Sequence, residues 1–94
     1  MTDATDVSDV SEVTPEEQLQ GLIDYIAGEL VDSPDDYEVT SERRGGSVHV
    51  TLKVKEEAMG RVIGRQGRIA KAMRTLVMIT GSRNNVRASL DIEG

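Results

Sequence analysis

The stretch Gly60-Arg61-Val62-Ile63-Gly64-Arg65-Gln66-Gly67-Arg68-Ile69 sets a Gly-x-x-Gly turn between apolar and basic neighbours. Glycine has no Cβ, so the chain can reverse sharply at such a turn and let another polymer's backbone approach closely. Where a helix opens at the turn, its unpaired N–H groups and the positive end of its dipole face the same point, and both attract phosphate. Arg65 and Arg68 add mobile positive charge there, and Lys71 and Arg61 extend it to either side. Val62, Ile63 and Ile69, with Met59, offer an aliphatic floor for bases, part of which must also serve a core. The chemistry is capture of an extended sugar-phosphate chain, not catalysis. The sequence has no Walker-type loop, no histidine besides His49 and no acidic cluster beside the turn, so neither an enzyme nor a cofactor is expected.

Charge is distributed to suit that reading, although the net value of −6 is unfavourable for an anionic ligand. Residues 1–42 hold 13 acids and no base; residues 43–94 hold 11 bases and 4 acids. Between Met59 and Leu90 stand Arg61, Arg65, Arg68, Lys71, Arg74, Arg83 and Arg87 with no acid among them. A ligand responds to the potential within a Debye length or so, so the local sign decides.

The elements that must position the turn follow from patterning. Residues 1–13, with four acids and no sustained period, predict a disordered acidic tail, and residues 14–94 a single domain. Thr14-Pro15-Glu16-Glu17 has the form of a capping box with proline at the first helical position. Leu19, Leu22, Ile23, Ile26, Leu30 and Val31 then define one apolar helix face, ending before Ser33-Pro34. From Tyr37 the period becomes 2, and Gly45-Gly46 marks a hairpin. Taking those glycines as a two-residue loop pairs Arg44 with Ser47, Glu42 with His49, Thr40 with Thr51 and Glu38 with Lys53. It leaves Val48, Val50, Leu52 and Val54 on the core face with Tyr37 and Val39, and makes His49 a surface histidine beside a carboxylate.

Glu56 and Glu57 suit the start of a short helix through Ile63. A second helix is expected from Arg68 to about Thr80, with Ile69, Ala72, Met73, Leu76 and Ile79 inward and Gly81 as its stop. Val86, Ala88, Leu90 and Ile92 alternate with polar residues in a final strand. The order α-β-β-α-α-β predicts an α+β fold, a three-stranded sheet backed by three helices. With only two aromatic residues, Tyr25 and Tyr37, the core must be aliphatic. The absence of cysteine fits a reducing cytoplasm, and no apolar run is long enough to suggest a membrane span. Asp32, Asp35 and Asp36 crowd one turn without the spacing of a calcium loop, so capping and solubility account for them.

In this frame Val62-Ile63-Gly64-Arg65-Gln66-Gly67-Arg68-Ile69 resembles the signature V-I-G-x-x-G-x-x-I of the KH family of single-stranded nucleic-acid-binding domains, with the last isoleucine one place early. The element order is similar to the type II, prokaryotic form. Leu22 to Ile26, Leu30 to Asp35 and Met59 to Val77 resemble the small bacterial single-KH RNA-binding proteins. The resemblance covers about residues 16–93. It implies single-stranded RNA as ligand, an RNA-chaperone-like role, and a homodimer or a heteromer with a larger KH protein. The site residues it implies are Arg61, Val62, Ile63, Gly64, Arg65, Gln66, Gly67, Arg68, Ile69 and Lys71.

The rival reading is a protein-interaction module whose basic helix docks an acidic partner, since charge runs are usually solvated faces. The glycine turn favours RNA, because a protein partner has no special need for two glycines at a helix junction. Scarce aromatics disfavour recognition by stacking platforms.

Overall fold

The computed structural model describes residues 13–94, so the expected acidic tail lies, but for Val13, outside the described residues. The elements run α1 (Pro15–Leu30), a 3₁₀ turn (Pro34–Asp36), β1 (Tyr37–Arg44), β2 (Ser47–Val54), α2 (Glu56–Ile63), a second 3₁₀ turn (Arg65–Gly67), α3 (Arg68–Arg83) and β3 (Arg87–Glu93). This is the α-β-β-α-α-β order expected.

α1 starts where its capping box directs. Thr14 Oγ1 accepts from the Glu17 N–H and Glu17 Oε1 accepts from the Thr14 N–H, each at 3.2 Å. Such a cap is worth about 1 kcal/mol. Leu19, Ile23, Ala27 and Val31 turn inward and are buried.

β1 and β2 pair antiparallel in the register expected from Gly45-Gly46, with Arg44 opposite Ser47, Glu42 opposite His49 and Tyr37 opposite Val54. β3 joins β2 in parallel, giving the sheet order β1-β2-β3. Val48, Val50, Leu52 and Val54 are buried against α1 and Met73 and Val77 of α3 in one aliphatic core. Each such side chain contributes roughly 1.5–3 kcal/mol on leaving water.

The outer edge of β1 is closed by one side chain of α1: Gln20 Nε2 donates to Val39 O at 3.0 Å, and Gln20 Oε1 accepts from Ser41 Oγ at 2.8 Å. Unpaired strand groups are a template for unwanted pairing, and Gln20 removes one of them, Val39 O, while its bond to Ser41 is side chain to side chain. Among the described residues the β3 edge stays open except at Leu90 O, which accepts from Arg74 Nε at 3.4 Å.

Two expectations are corrected. α3 does not stop at Gly81 but runs to Arg83, and the chain leaves it through Asn84 and Asn85, the latter at φ +60°. Gly81 is an inward position: a Cβ there would stand 2.5 Å from Ala88 Cβ, so only glycine lets α3 lie this close to β3. With Gly81 inward, the buried face of α3 is Ala70, Met73, Val77 and Gly81, and Ala72, Leu76 and Ile79 are exposed. Three of the five side chains expected inward are therefore outside, because an exposed apolar row on the same helix competed for the same pattern. His49 lies on the surface as expected. Its carboxylate neighbour is Asp91, at 3.4 Å from Nε2, because the parallel strand β3 brings it there while Arg44 holds Glu42 at 3.0 Å.

Candidate nucleic-acid interface

α2 ends when Gly64 takes φ +79°, its N–H still donating to Gly60 O at 2.9 Å. The chain turns through Gln66 at φ +58° and Gly67 at φ +76°, and the Gly67 N–H donates to Gly64 O at 3.1 Å. Three of four successive residues thus have left-handed backbone, which explains glycine at two of them. α3 then opens with no side chain capping its first turn. The Arg68 N–H donates to Arg65 O, and helix geometry leaves the next N–H groups of the first turn without an intrahelical partner, available to an anion.

The two glycines are not equivalent. At Gly64 a Cβ would stand 2.6 Å from Ile69 Cγ1, so the isoleucine fills the space a side chain would need. At Gly67 a Cβ would meet nothing within 4 Å. Gly64 is therefore a packing glycine that locks the turn onto α3, and Gly67 presents bare backbone to open space. Ile69 works from one place earlier than the signature's isoleucine, and Ala70 occupies the buried position after it.

The other sequence-derived site residues divide by burial. Arg65, Gln66, Arg68 and Lys71 are exposed around the turn, and Arg68 donates weakly to Gln66 Oε1 at 3.4 Å. Arg61 is exposed but engaged by Asp32 at 2.8 Å. Ile63 and Ile69 are half-buried and keep part of their surface beside the loop. Val62 is fully buried in the core, so it supports the turn from beneath and offers no floor to a ligand.

Beyond Lys71, residues outside the sequence-derived site extend the basic face. Lys71, Arg74, Met78 and Ser82 follow one another at three- and four-residue steps, which aligns them on one side of α3. The Arg74–Leu90 bond places that side along the open edge of β3. At its far end lies an open groove of about 900 Å³ lined by Ser47, Met78, Ser82, Asn85, Arg87 and Ser89 among others, with no carboxylate in its lining. A continuous track thus leads from the glycine turn, past Arg74, to Arg87. The signal for it was the helix register, which depends on recognising Gly81 as a core residue. Among the described residues no group of three or more His, Cys, Asp or Glu side chains could hold a metal ion, and no helix is long and apolar enough to cross a membrane.

Comparison with known proteins decides the family, because the KhpA/KhpB KH domain matches residues 20–92, nearly the whole described chain. The chain belongs to the KhpA/KhpB KH-domain family. It is 49% identical over 74 residues to the RNA-binding protein KhpA of Listeria monocytogenes, covering 79% of this chain and 97% of that protein. It is 43% identical over 74 residues to the KhpA of Halalkalibacterium halodurans, with the same coverage, and 36% identical over 74 residues to that of Chlamydia pneumoniae, covering 79% of this chain and 95% of the relative. No solved structure matches the chain. Membership makes the chain a KH module and not an enzyme.

Proposed function

We propose that this chain is a single-stranded RNA-binding protein of RNA-chaperone type, acting in the cytoplasm through residues 14–94 as one KH unit. The observation that carries the reading is Gly67: bare backbone facing open space, at the uncapped start of α3, flanked by exposed Arg65 and Arg68. An RNA backbone seated there meets N–H groups and guanidinium charge together, while its bases lie toward Ile63, Ile69 and the open β3 edge. One such module takes about four nucleotides. The relatives' name, RNA-binding protein, supports the same ligand class.

A second copy, or a larger KH protein of the KhpB type, is the protein partner this reading includes. It is supported by Ala72, Leu76 and Ile79, an exposed apolar row on α3 with Leu76 43% and Ile79 51% accessible. Two linked modules raise the effective concentration of the second binding event, which compensates for the weakness of one. The test is fluorescence anisotropy with short single-stranded RNA and DNA of one sequence. Micromolar binding of the RNA, lost against blunt duplex, is expected; equal binding to duplex contradicts the reading.

A further inference from the structure

Residues 3–14 repeat a three-residue unit four times without a break: Asp3-Ala4-Thr5, Asp6-Val7-Ser8, Asp9-Val10-Ser11 and Glu12-Val13-Thr14. Each unit is an acid, a small aliphatic residue and a hydroxyl. The family match begins at residue 20, so this segment is an addition to the KH domain proper. A charge at every third residue gives an extended chain one carboxylate about every 9–10 Å, with no base to neutralise it. It is a sparse polyanion.

The surface of opposite sign lies on the same molecule. Arg65, Arg68, Lys71 and Arg74 are exposed and, like Lys53, Arg83 and Arg87, are in no ion pair among the described residues, whereas Arg43, Arg44, Lys55 and Arg61 each have a carboxylate partner. The four cations along α3, Arg74 also donating to Leu90 O, match in number the carboxylates of the attached segment, Asp3, Asp6, Asp9 and Glu12. The segment joins α1 at its hairpin end, marked by the Glu16–Arg43 pair at 3.4 Å. The other end of α1 lies beside the glycine turn, marked by Asp32 on Arg61. The sixteen residues of α1 span about 24 Å, and twelve extended residues reach about 40 Å. Asp3 and Asp6, eleven and eight residues before Thr14, can reach about 36 and 26 Å and so span α1 to the basic side of α3, whereas Asp9 and Glu12, at about 17 and 7 Å, stay nearer the hairpin end.

We propose that the acidic repeat docks on the face formed by Arg65, Arg68, Lys71 and Arg74 and competes there with RNA. The competition rests on the RNA-binding reading; the docking does not. A tethered segment acts at millimolar effective concentration, enough to weaken a micromolar ligand about twofold if its own contact is of millimolar strength. Since the contact is ionic and exposed, salt removes it.

The test compares the full-length parent with a full-length variant carrying Asp3→Asn, Asp6→Asn, Asp9→Asn and Glu12→Gln. In the RNA-free proteins, amide resonances of residues 64–74 should differ between the two at about 50 mM salt and coincide at about 500 mM. Affinity for a short single-stranded RNA should be about twofold tighter for the variant at low salt and equal at high salt. Coincident amides at low salt overturn the docking whatever RNA does. Shifted amides with unchanged affinity, in a protein that binds RNA, overturn the competition. Shifted amides in a pair of proteins that both ignore RNA uphold the docking and refute the RNA-binding reading instead.

Discussion

Ile69 occupies the space above Gly64: its Cγ1 lies 2.6 Å from where a β-carbon on that glycine would stand. The contact joins the end of α2 to the first turn of α3. Gly67, three residues on, has no such neighbour. Two glycines that look alike in the motif thus have different duties, one packing and one presenting.

The first prediction separates those duties. Gly64→Ala combines a backbone conformation open almost only to glycine with a collision in a packed site, and should destabilise the fold by about 3 kcal/mol. Gly67→Ala carries the left-handed penalty alone, about 1–2 kcal/mol. Urea denaturation of both variants checks the order; equal losses would mean that Ile69 gives way.

Gly81 should be equally intolerant, because its missing Cβ is what lets α3 approach Ala88. Gly81→Ala should lower stability by about 1–3 kcal/mol by thermal unfolding, although alanine is the better helix former. A neutral or stabilising result would show that α3 can ride outward from β3 at little cost.

Much of this fold was legible in the sequence, for physical reasons that also explain the rest. Gly45-Gly46 fixes the hairpin because a two-residue loop leaves a single register, and Thr14 to Glu17 fixes the helix start because both capping partners are local. The inner face of α3 was not legible, since Gly81 reads as a stop when its neighbour Ala88 in space is unknown. The same gap hid the track past Arg74 to Arg87, which depends on β3 lying parallel to β2 with its far edge open. Val62 read as a ligand floor because an aliphatic residue beside a motif gives no sign of whether the core claims it.

Self-association should depend on the exposed row of α3. Replacing Leu76 and Ile79 together by Gln should leave stability within about 0.5 kcal/mol of the parent, as both side chains lie at the surface. Sedimentation at tens of micromolar should show a dimeric parent and a monomeric variant. A parent that stays monomeric there refutes the homodimer and leaves the heteromer.

Salt should weaken RNA binding in proportion to the phosphates engaged. Four contacts predict a slope of log K against log salt near −3, at about −0.7 per phosphate on a single strand. A slope near zero would mean that the arginines of the glycine turn do not carry the affinity.

The most direct measurement of the central claim is RNA affinity after replacing Arg65 and Gln66 together by Asp. Both side chains are exposed, and aspartate tolerates the left-handed backbone of Gln66, so circular dichroism and melting should be unchanged. Two negative charges then stand where a phosphate is expected, and the Arg65 cation is gone. Affinity for single-stranded RNA should fall at least tenfold, equivalent to about 1.4 kcal/mol. A folded variant that binds as tightly as the parent would show that the turn is not the phosphate cradle, and would make the basic helix a surface for protein partners.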